Sequence, residues 1–285
     1  MQSDLVSIIM PCHNGAAYIA DAIRSVQNQT FSDWELLVID DSSTDDSVRI
    51  AAGFAESDSR IRLLKNEKST GLPATPRNVG IAAASGRYIA FLDCDDEWLP
   101  TKLERQLPLF AMRNVAVVFS YYGKMDGSGG MEQNPTLSPM VVDFQQLLLG
   151  NCIGNLTGMY DTQKCGKVFQ KEIHHEDFLQ WLEILGKGFV AMNTRTCEAF
   201  YRVQKTSLSG NKLQAMRWHW HILRGELALP LMTAARCFLA YVINAVRKRK
   251  YYGALRWGGA NRYNIRIYNG FSTDCTWFDC EGWCA

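Results

Sequence analysis
Short apolar runs alternate with amphipathic stretches over the first ~120 residues of the chain. Leu5–Met10, Glu35–Asp40, Ile61–Lys65, Tyr88–Asp93 and Val115–Tyr121 have the length and composition of strands. Between them, Ala17–Gln29, Asp45–Glu56, Pro76–Ala84 and Thr101–Met112 carry the pattern of helices with one buried face. Strand, helix and strand in repetition predict an α/β protein on a mainly parallel, doubly wound sheet. Ligands of such sheets bind beyond the carboxyl ends of the strands, near the point where strand order reverses.

Past residue 122 the pattern loosens. Residues 123–140, rich in Gly, Ser, Met and Pro, predict a surface loop. Asp143–Leu149 and Glu176–Leu185 predict helices, and Phe189–Asn193 and Glu198–Val203 predict strands. From Asn211 the character changes: Met216–Leu223 and Leu227–Val246 are helical and apolar, and Arg247-Lys248-Arg249-Lys250-Tyr251-Tyr252 follows. The chain thus divides into a body (1–210), a basic helical extension (211–270) and an irregular tail (271–285), with no internal repeat.

With 47% hydrophobic and 21% charged residues, the chain of 285 residues is neither disordered nor fibrous. Its net charge of +1 hides an asymmetry: residues 1–210 carry 19 Lys/Arg against 25 Asp/Glu, and residues 211–270 carry eleven against Glu226 alone. Basic arms of this kind meet phosphates or anionic lipid. Leu227–Val246 has about the length needed to cross a bilayer, but Pro230 and Arg236 interrupt it. The expectation is a helix lying at the membrane surface, with Arg247–Lys250 and the aromatics Trp218, Trp220, Tyr251 and Tyr252 at headgroup level. A solvated helix face is the plainer alternative, and a nucleic-acid partner lacks any companion base-reading motif. The polar start Met1–Asp4 and the strand-sized run after it are not a leader, which predicts a cytoplasmic protein, peripheral on the inner membrane. The nine cysteines agree with a reducing compartment: six are scattered, and Cys275, Cys280 and Cys284 lack the fourth ligand and close pairs of a zinc site.

The chemistry gathers at the predicted strand ends. The first strand runs into Pro11-Cys12-His13-Asn14, the second into Asp40-Asp41-Ser42-Ser43, and the fourth into Asp93-Cys94-Asp95-Asp96. Three carboxylates within four residues repel one another unless a cation sits among them. Hard oxygen donors suit Mg2+ or Mn2+ shared with substrate phosphates. Taken alone, the same residues also suit the positive end of the following helix. Neither a Gly-rich dinucleotide loop nor a Walker motif is present. A second cluster, His174-His175-Glu176-Asp177, lacks the HExxH spacing of a helical zinc site, and its two acids alone could simply favour a helix start.

Together the runs Val6-Ser7-Ile8-Ile9-Met10-Pro11-Cys12-His13-Asn14, Ser25-Val26-Gln27-Asn28-Gln29-Thr30 and Glu35-Leu36-Leu37-Val38-Ile39-Asp40-Asp41, followed by Arg77-Asn78-Val79-Gly80 and Arg87–Trp98, resemble the family 2 glycosyltransferases of the GT-A fold. The resemblance covers about residues 4–205. It implies an inverting enzyme that moves a sugar from a nucleotide-diphosphate donor, in first place a UDP-sugar, to an acceptor hydroxyl. Pro11 would be a backbone wall beside the base and Asp41 the acceptor for its imide N–H. Asp93 would face ribose and metal, Asp95 would be the principal ligand of Mn2+ or Mg2+ with Asp96 in support, and Arg77 would approach the diphosphate. Read without the resemblance, Arg77 is a surface residue at a helix start. Asp177 would be the general base, with Glu176 ordering the acceptor or loop. His13 departs from the family, which most often has Tyr there. The C-terminal extension resembles that of bacterial transferases building capsule or lipopolysaccharide on a lipid carrier, which implies a glycan or lipid-linked acceptor. The other readings are a catalytically inactive scaffold of the same fold, against which the intact carboxylates stand, and a nucleotidyltransferase. The latter needs a basic phosphate loop after the first strand, where His13-Asn14-Gly15-Ala16-Ala17 has no Lys or Arg.

Overall fold
Val6, Ile8, Ile9 and Met10 are all fully buried, which requires the first strand to be covered on both faces. The computed structural model describes residues 4–127, 129–203 and 212–255. The tail with Cys275, Cys280 and Cys284 lies outside the described residues, as do the side chains of Arg247–Lys250, Tyr251 and Tyr252.

The first half runs β1 (Val6–Cys12), α1 (Ile19–Gln27), β2 (Trp34–Asp40), α2 (Ser47–Ser57), β3 (Ile61–Lys65), α3 (Ala74–Ala83), β4 (Tyr88–Phe91), β5 (Glu97–Trp98) and α4 (Lys102–Gln106). Then follow β6 (Val115–Met125), β7 (Met131–Thr136), β8 (Val141–Val142), α5 (Phe144–Leu148), β9 (Met159–Asp161), α6 (Thr162–Cys165), α7 (Glu176–Leu185) and β10 (Val190–Arg202). Two helices close the described chain, α8 (Lys212–His221) and α9 (Leu231–Leu255). The main sheet has the order β3-β2-β1-β4-β9-β6-β10-β5, with β7 on β6 and β8 on β10. From β3 to β4 all pairs are parallel, whereas β9 runs antiparallel between β4 and β6.

The chain steps outward from β1 to β2 and β3, then returns to β1's other side as β4, so strand order reverses between β1 and β4. Their parallel register ends at Ile9 opposite Phe91. Continued by two residues, it sets Asp93 beside Pro11. Alternation along the strands sends Ile9, Leu37, Ile39 and Phe91 to one core, and Ile8, Met10, Leu36, Val38 and Leu92 to another. Helix α3 lies close on the first face, since a Cβ at Gly80 would sit 2.6 Å from Ile9 and 2.9 Å from Ile39. Phe91, Tyr160 and Trp181 meet at centroid distances of 6.1 to 6.4 Å and join β4, β9 and α7. Such aromatic contacts are worth about 0.5–1.5 kcal/mol each beyond burial, and these fix the middle of α7 against the sheet.

Several elements differ from expectation. Residues 123–140 are not all loop: β6 runs on to Met125 and pairs with β7, around a turn in which Asp126 N–H donates to the Gly130 carbonyl at 2.9 Å. The partner strand supplies an order that composition does not encode. The two strands expected at 189–203 are one, joined through a register shift between Asn193 and Cys197. Thr101–Met112 is α4 followed by a tighter 3-10 turn, Leu107–Ala111, where Pro108 removes a helical N–H.

The helical extension docks on the body. His219, buried, stacks between Phe178 at 5.1 Å and Tyr241 at 4.0 Å, and burial drives its pKa down to about 4. Trp218 and Trp220, expected at headgroup level, pack inward: Trp218 stacks on His174 at 3.9 Å, and Trp220 meets Phe238 edge-on at 5.3 Å. Among the described residues no helix is long and apolar enough to cross a membrane.

Candidate active site
At the carboxyl ends of β1, β2 and β4 the polar residues following each strand turn into one region. Asp41 directly follows β2 and is 7% exposed. Its N–H donates to the Cys12 carbonyl at 2.8 Å, and His13 Nδ1 meets its carbonyl at 2.7 Å, so the ends of β1 and β2 are tied together. Its Oδ1 accepts from Asn66 Nδ2 at 2.6 Å, and Asn66 in turn reaches Thr75 at 3.3 Å. Neither Asn66 nor Thr75 carried any sequence signal.

Beyond β4 the three acids part company. Asp93 and Asp95 are half-buried, while Asp96 is 1% exposed. Asp96 Oδ1 accepts the Arg202 N–H at 2.8 Å, and Arg202 Nε donates to the Asp95 carbonyl at 2.8 Å. Burial, with the charges of Asp93 and Asp95 adding, raises the Asp96 carboxyl well above the carboxylate range. Asp96, expected to support a cation, is thus tied to β10 through Arg202. Among the described residues no three His, Cys, Asp or Glu side chains converge to hold a metal by themselves. The half-exposed Asp93 and Asp95 fit a different arrangement, a hard cation bound by one or two carboxylates and completed by substrate phosphates and water.

Arg77 lies on α3 and is 5% exposed. Its Nη2 donates to Asp93 at 2.7 Å and its Nη1 to Glu176 at 2.6 Å, a bridge from the end of β4 to the start of α7. Read without the resemblance Arg77 is a surface residue at a helix start, whereas the structure buries it between Asp93 and Glu176, because two carboxylates at the edge of a low-dielectric interior need a shared counter-charge. Glu176, 8% exposed, and the half-buried Asp177 form the first turn of α7. Burial raises both carboxyls; Asp177's charge raises Glu176 further, Asp93's raises Asp177, and Arg77 opposes both. Asn151 Nδ2 donates to Asp177 Oδ2 at 3.0 Å and aims that carboxylate. His175 precedes the helix with φ 63°, and both His174 and His175 lie against Trp218.

A cavity of about 360 Å³ opens at this junction, lined by Asp93, Asp96, Asn151, Asn155, Asp177 and Tyr201 among others. Asp93 and Asp177, the two acids with different predicted roles, thus share one cavity. Asn151 and Asn155 were missed because they sit in an irregular stretch without periodicity. Pro11 and Asp41 lie toward β2 and do not line it.

Residues 7–166 match the profile described as Glycosyl transferase family 2. The putative teichuronic acid biosynthesis glycosyltransferase TuaG of Bacillus subtilis (strain 168) is 37% identical over 246 residues, covering 86% of this chain and 97% of the relative. The UDP-Glc:alpha-D-GlcNAc-diphosphoundecaprenol beta-1,3-glucosyltransferase WfgD of Escherichia coli is 35% identical over 254 residues, covering 88% and 97%. The crystal structure of S. aureus TarS 1-349 in complex with UDP-GlcNAc is similar with a TM-score of 0.64, over 85% of this chain and 72% of that one. At 19% identity this likeness speaks to fold, and the fold is GT-A. With the family profile spanning 7–166 and relatives matched over nearly their whole length, the chain is a glycosyltransferase and belongs to glycosyl transferase family 2.

Proposed function
We propose that this chain transfers a sugar, with inversion, from a UDP-sugar to a hydroxyl of a lipid-linked saccharide in bacterial surface-polysaccharide synthesis. One observation carries the reading: Arg77 joins Asp93 to the Glu176–Asp177 pair, and Asp93 and Asp177 open into one cavity at the strand-order reversal.

Asp177 is the general base. Aimed by Asn151 and raised by burial, it takes the acceptor hydroxyl's proton. The acceptor oxygen forms its bond to the anomeric carbon as the bond from that carbon to the diphosphate oxygen breaks, and the electron pair leaves with the nucleoside diphosphate. One displacement with one base and no covalent intermediate inverts the centre. Asp93 and Asp95 are the side chains that would hold Mg2+ or Mn2+. When bound, such a cation supplies positive charge to the phosphate oxygens. Pro11 and Asp41 belong to the base pocket, where Asp41 accepts the imide N–H of uracil. Arg77 keeps Glu176 and Asp93 in register, and Glu176 orders the start of α7.

The relative WfgD carries a UDP-Glc donor, a diphosphoundecaprenol-linked acceptor and a β-1,3 product in its name. An α-linked UDP-glucose giving a β-linked product is an inversion, which supports the same outcome here. For work on such an acceptor the chain has a suitable surface: α9 exposes Leu231, Met232, Leu239 and Ile243 ahead of the basic run 247–250. We assign this helix to the inner face of the membrane.

A donor screen with Mn2+ or Mg2+ and a GlcNAc-diphospholipid acceptor, reading UDP release and the anomeric proton of the product, tests the reading. A β-linked product from a UDP-sugar is expected. An α-linked product, or turnover confined to other nucleotides, would contradict it.

A further inference from the structure
The cavity beside Asp93 and Asp177 contains a polar side chain that the proposed reaction leaves unused. Asn155 opens the 3-10 turn Asn155–Thr157 and lines the cavity. Both amide atoms, Nδ2 and Oδ1, are buried, and among the described residues neither has a hydrogen-bond partner. Buried polar groups are nearly always paired, so this pair of atoms asks for a partner from outside the chain.

The backbone of this turn is fixed by its neighbours. Trp98 Nε1 donates to the Leu156 carbonyl at 2.8 Å, and Gln106 Nε2 donates to the Thr157 carbonyl at 2.7 Å, both in the interior. Thr157 Oγ1 closes the turn onto the Gly154 carbonyl at 2.9 Å. Gly158 follows, where a Cβ would lie 2.5 Å from the Trp181 ring, so the backbone is wedged against the core. The cavity's other amide is occupied: Asn151 donates to Asp177 at 3.0 Å and accepts the Ile153 N–H at 3.1 Å.

We infer that the Asn155 amide reads two neighbouring hydroxyl groups of a pyranose ring held in this cavity, Oδ1 accepting from one and Nδ2 donating to the other. This rests on the glycosyl-transfer reading. A primary amide presents an acceptor and a donor side by side, and a vicinal diol presents the complement. The cavity lies in the size range of small-ligand sites, about 300–1,000 Å³, and Tyr122 and Tyr201 on its wall offer aromatic surface to the C–H faces of a sugar. Because it reaches from Asp93 to Asp177, the ring belongs to the donor sugar or to the acceptor's terminal residue.

Wild type, Asn155→Leu and Asn155→Ala are compared as full chains. One arm uses UDP-glucose and its singly deoxygenated analogues as donors; the other uses intact UDP-glucose with singly deoxygenated GlcNAc-diphospholipid acceptors. Calorimetry with UDP alone and thermal unfolding report on the nucleotide site and the fold. Both variants should bind UDP and unfold as wild type does, yet lose about tenfold or more in kcat/KM. A missing hydroxyl that costs wild type about tenfold should cost the variants nothing, and the arm in which this happens identifies the ring. Unchanged kcat/KM in both variants, with discrimination against every deoxygenated sugar intact, overturns the assignment alone. Joint loss of UDP binding and stability makes Asn155 a structural residue and overturns it too. A wild type that turns over no UDP-sugar overturns the assignment together with the reading beneath it.

Discussion

Arg77 donates to Glu176 at 2.6 Å across 99 positions of sequence, and both groups are buried. With the second bond to Asp93, one guanidinium fixes the start of α7 against the end of β4. Arg77→Met leaves two carboxylates without their counter-charge and should cost about 3–5 kcal/mol of stability in urea unfolding. Arg77→Lys keeps the charge but cannot fork to both acids, and should fall between, with turnover reduced more than stability. Wild-type stability and rate in both variants would show that the bridge does not organise the site.

Lys102 has no exposed surface; its Nζ donates to Gln106 at 2.7 Å and lies 3.9 Å from the Trp98 ring centre. Burial lowers its pKa from 10.5 to about 7, against the pull of Glu198. Between those values the unfolded chain binds a proton that the folded chain does not, so stability should rise with pH from about 7 toward 10, by at most about 1.4 kcal/mol per pH unit. Lys102→Met removes this gain. The variant's stability relative to wild type should therefore fall as pH rises from 7 to 9.5, whereas a constant difference would contradict the burial of a neutral amine.

Asp95→Asn should weaken both metal and nucleotide-sugar binding, and EDTA should do the same to wild type. Calorimetry of UDP-glucose with and without Mn2+ measures this. Equal affinity in EDTA would remove the cation from donor binding.

Asp41 is held by Asn66 at the end of β2 with its carboxylate in a buried setting. Asp41→Asn should lower UDP affinity by about tenfold, the worth of one charge-assisted hydrogen bond. CDP, which lacks an imide N–H, should bind wild type weakly and the variant no worse. Tight CDP binding without UDP binding would contradict the assignment.

How far the site was legible follows from where each residue lies. Asp41 and Asp93 were legible as candidates because they end apolar runs whose strand character is local, and the reversal of strand order brings such ends together. Glu176 and Asp177 open a helix whose bounds the pattern gave as Glu176–Leu185, which the structure matches. Their partnership with Arg77 spans 99 residues and no local pattern encodes it. Asp96 reads like its neighbours in sequence, yet the N–H of Arg202 on a distant strand turns it inward. Asn155 lies in a stretch without periodicity, fixed by Trp98 and Gln106 from other elements. The β6–β7 hairpin was hidden for the same reason, since pairing rather than composition makes it a sheet.

The central claim is that Asp177 takes the acceptor proton, and Asp177→Asn tests it most directly. The amide keeps the shape and most of the hydrogen bonding to Asn151 while losing basicity, so kcat should fall by ~100-fold or more. Calorimetry should find UDP-sugar affinity nearly unchanged, because the base acts on the acceptor and not on the diphosphate. Glu176→Gln measured alongside separates the two acids. Near-normal turnover in Asp177→Asn with collapse in Glu176→Gln would move the base to Glu176, and normal turnover in both would contradict the mechanism.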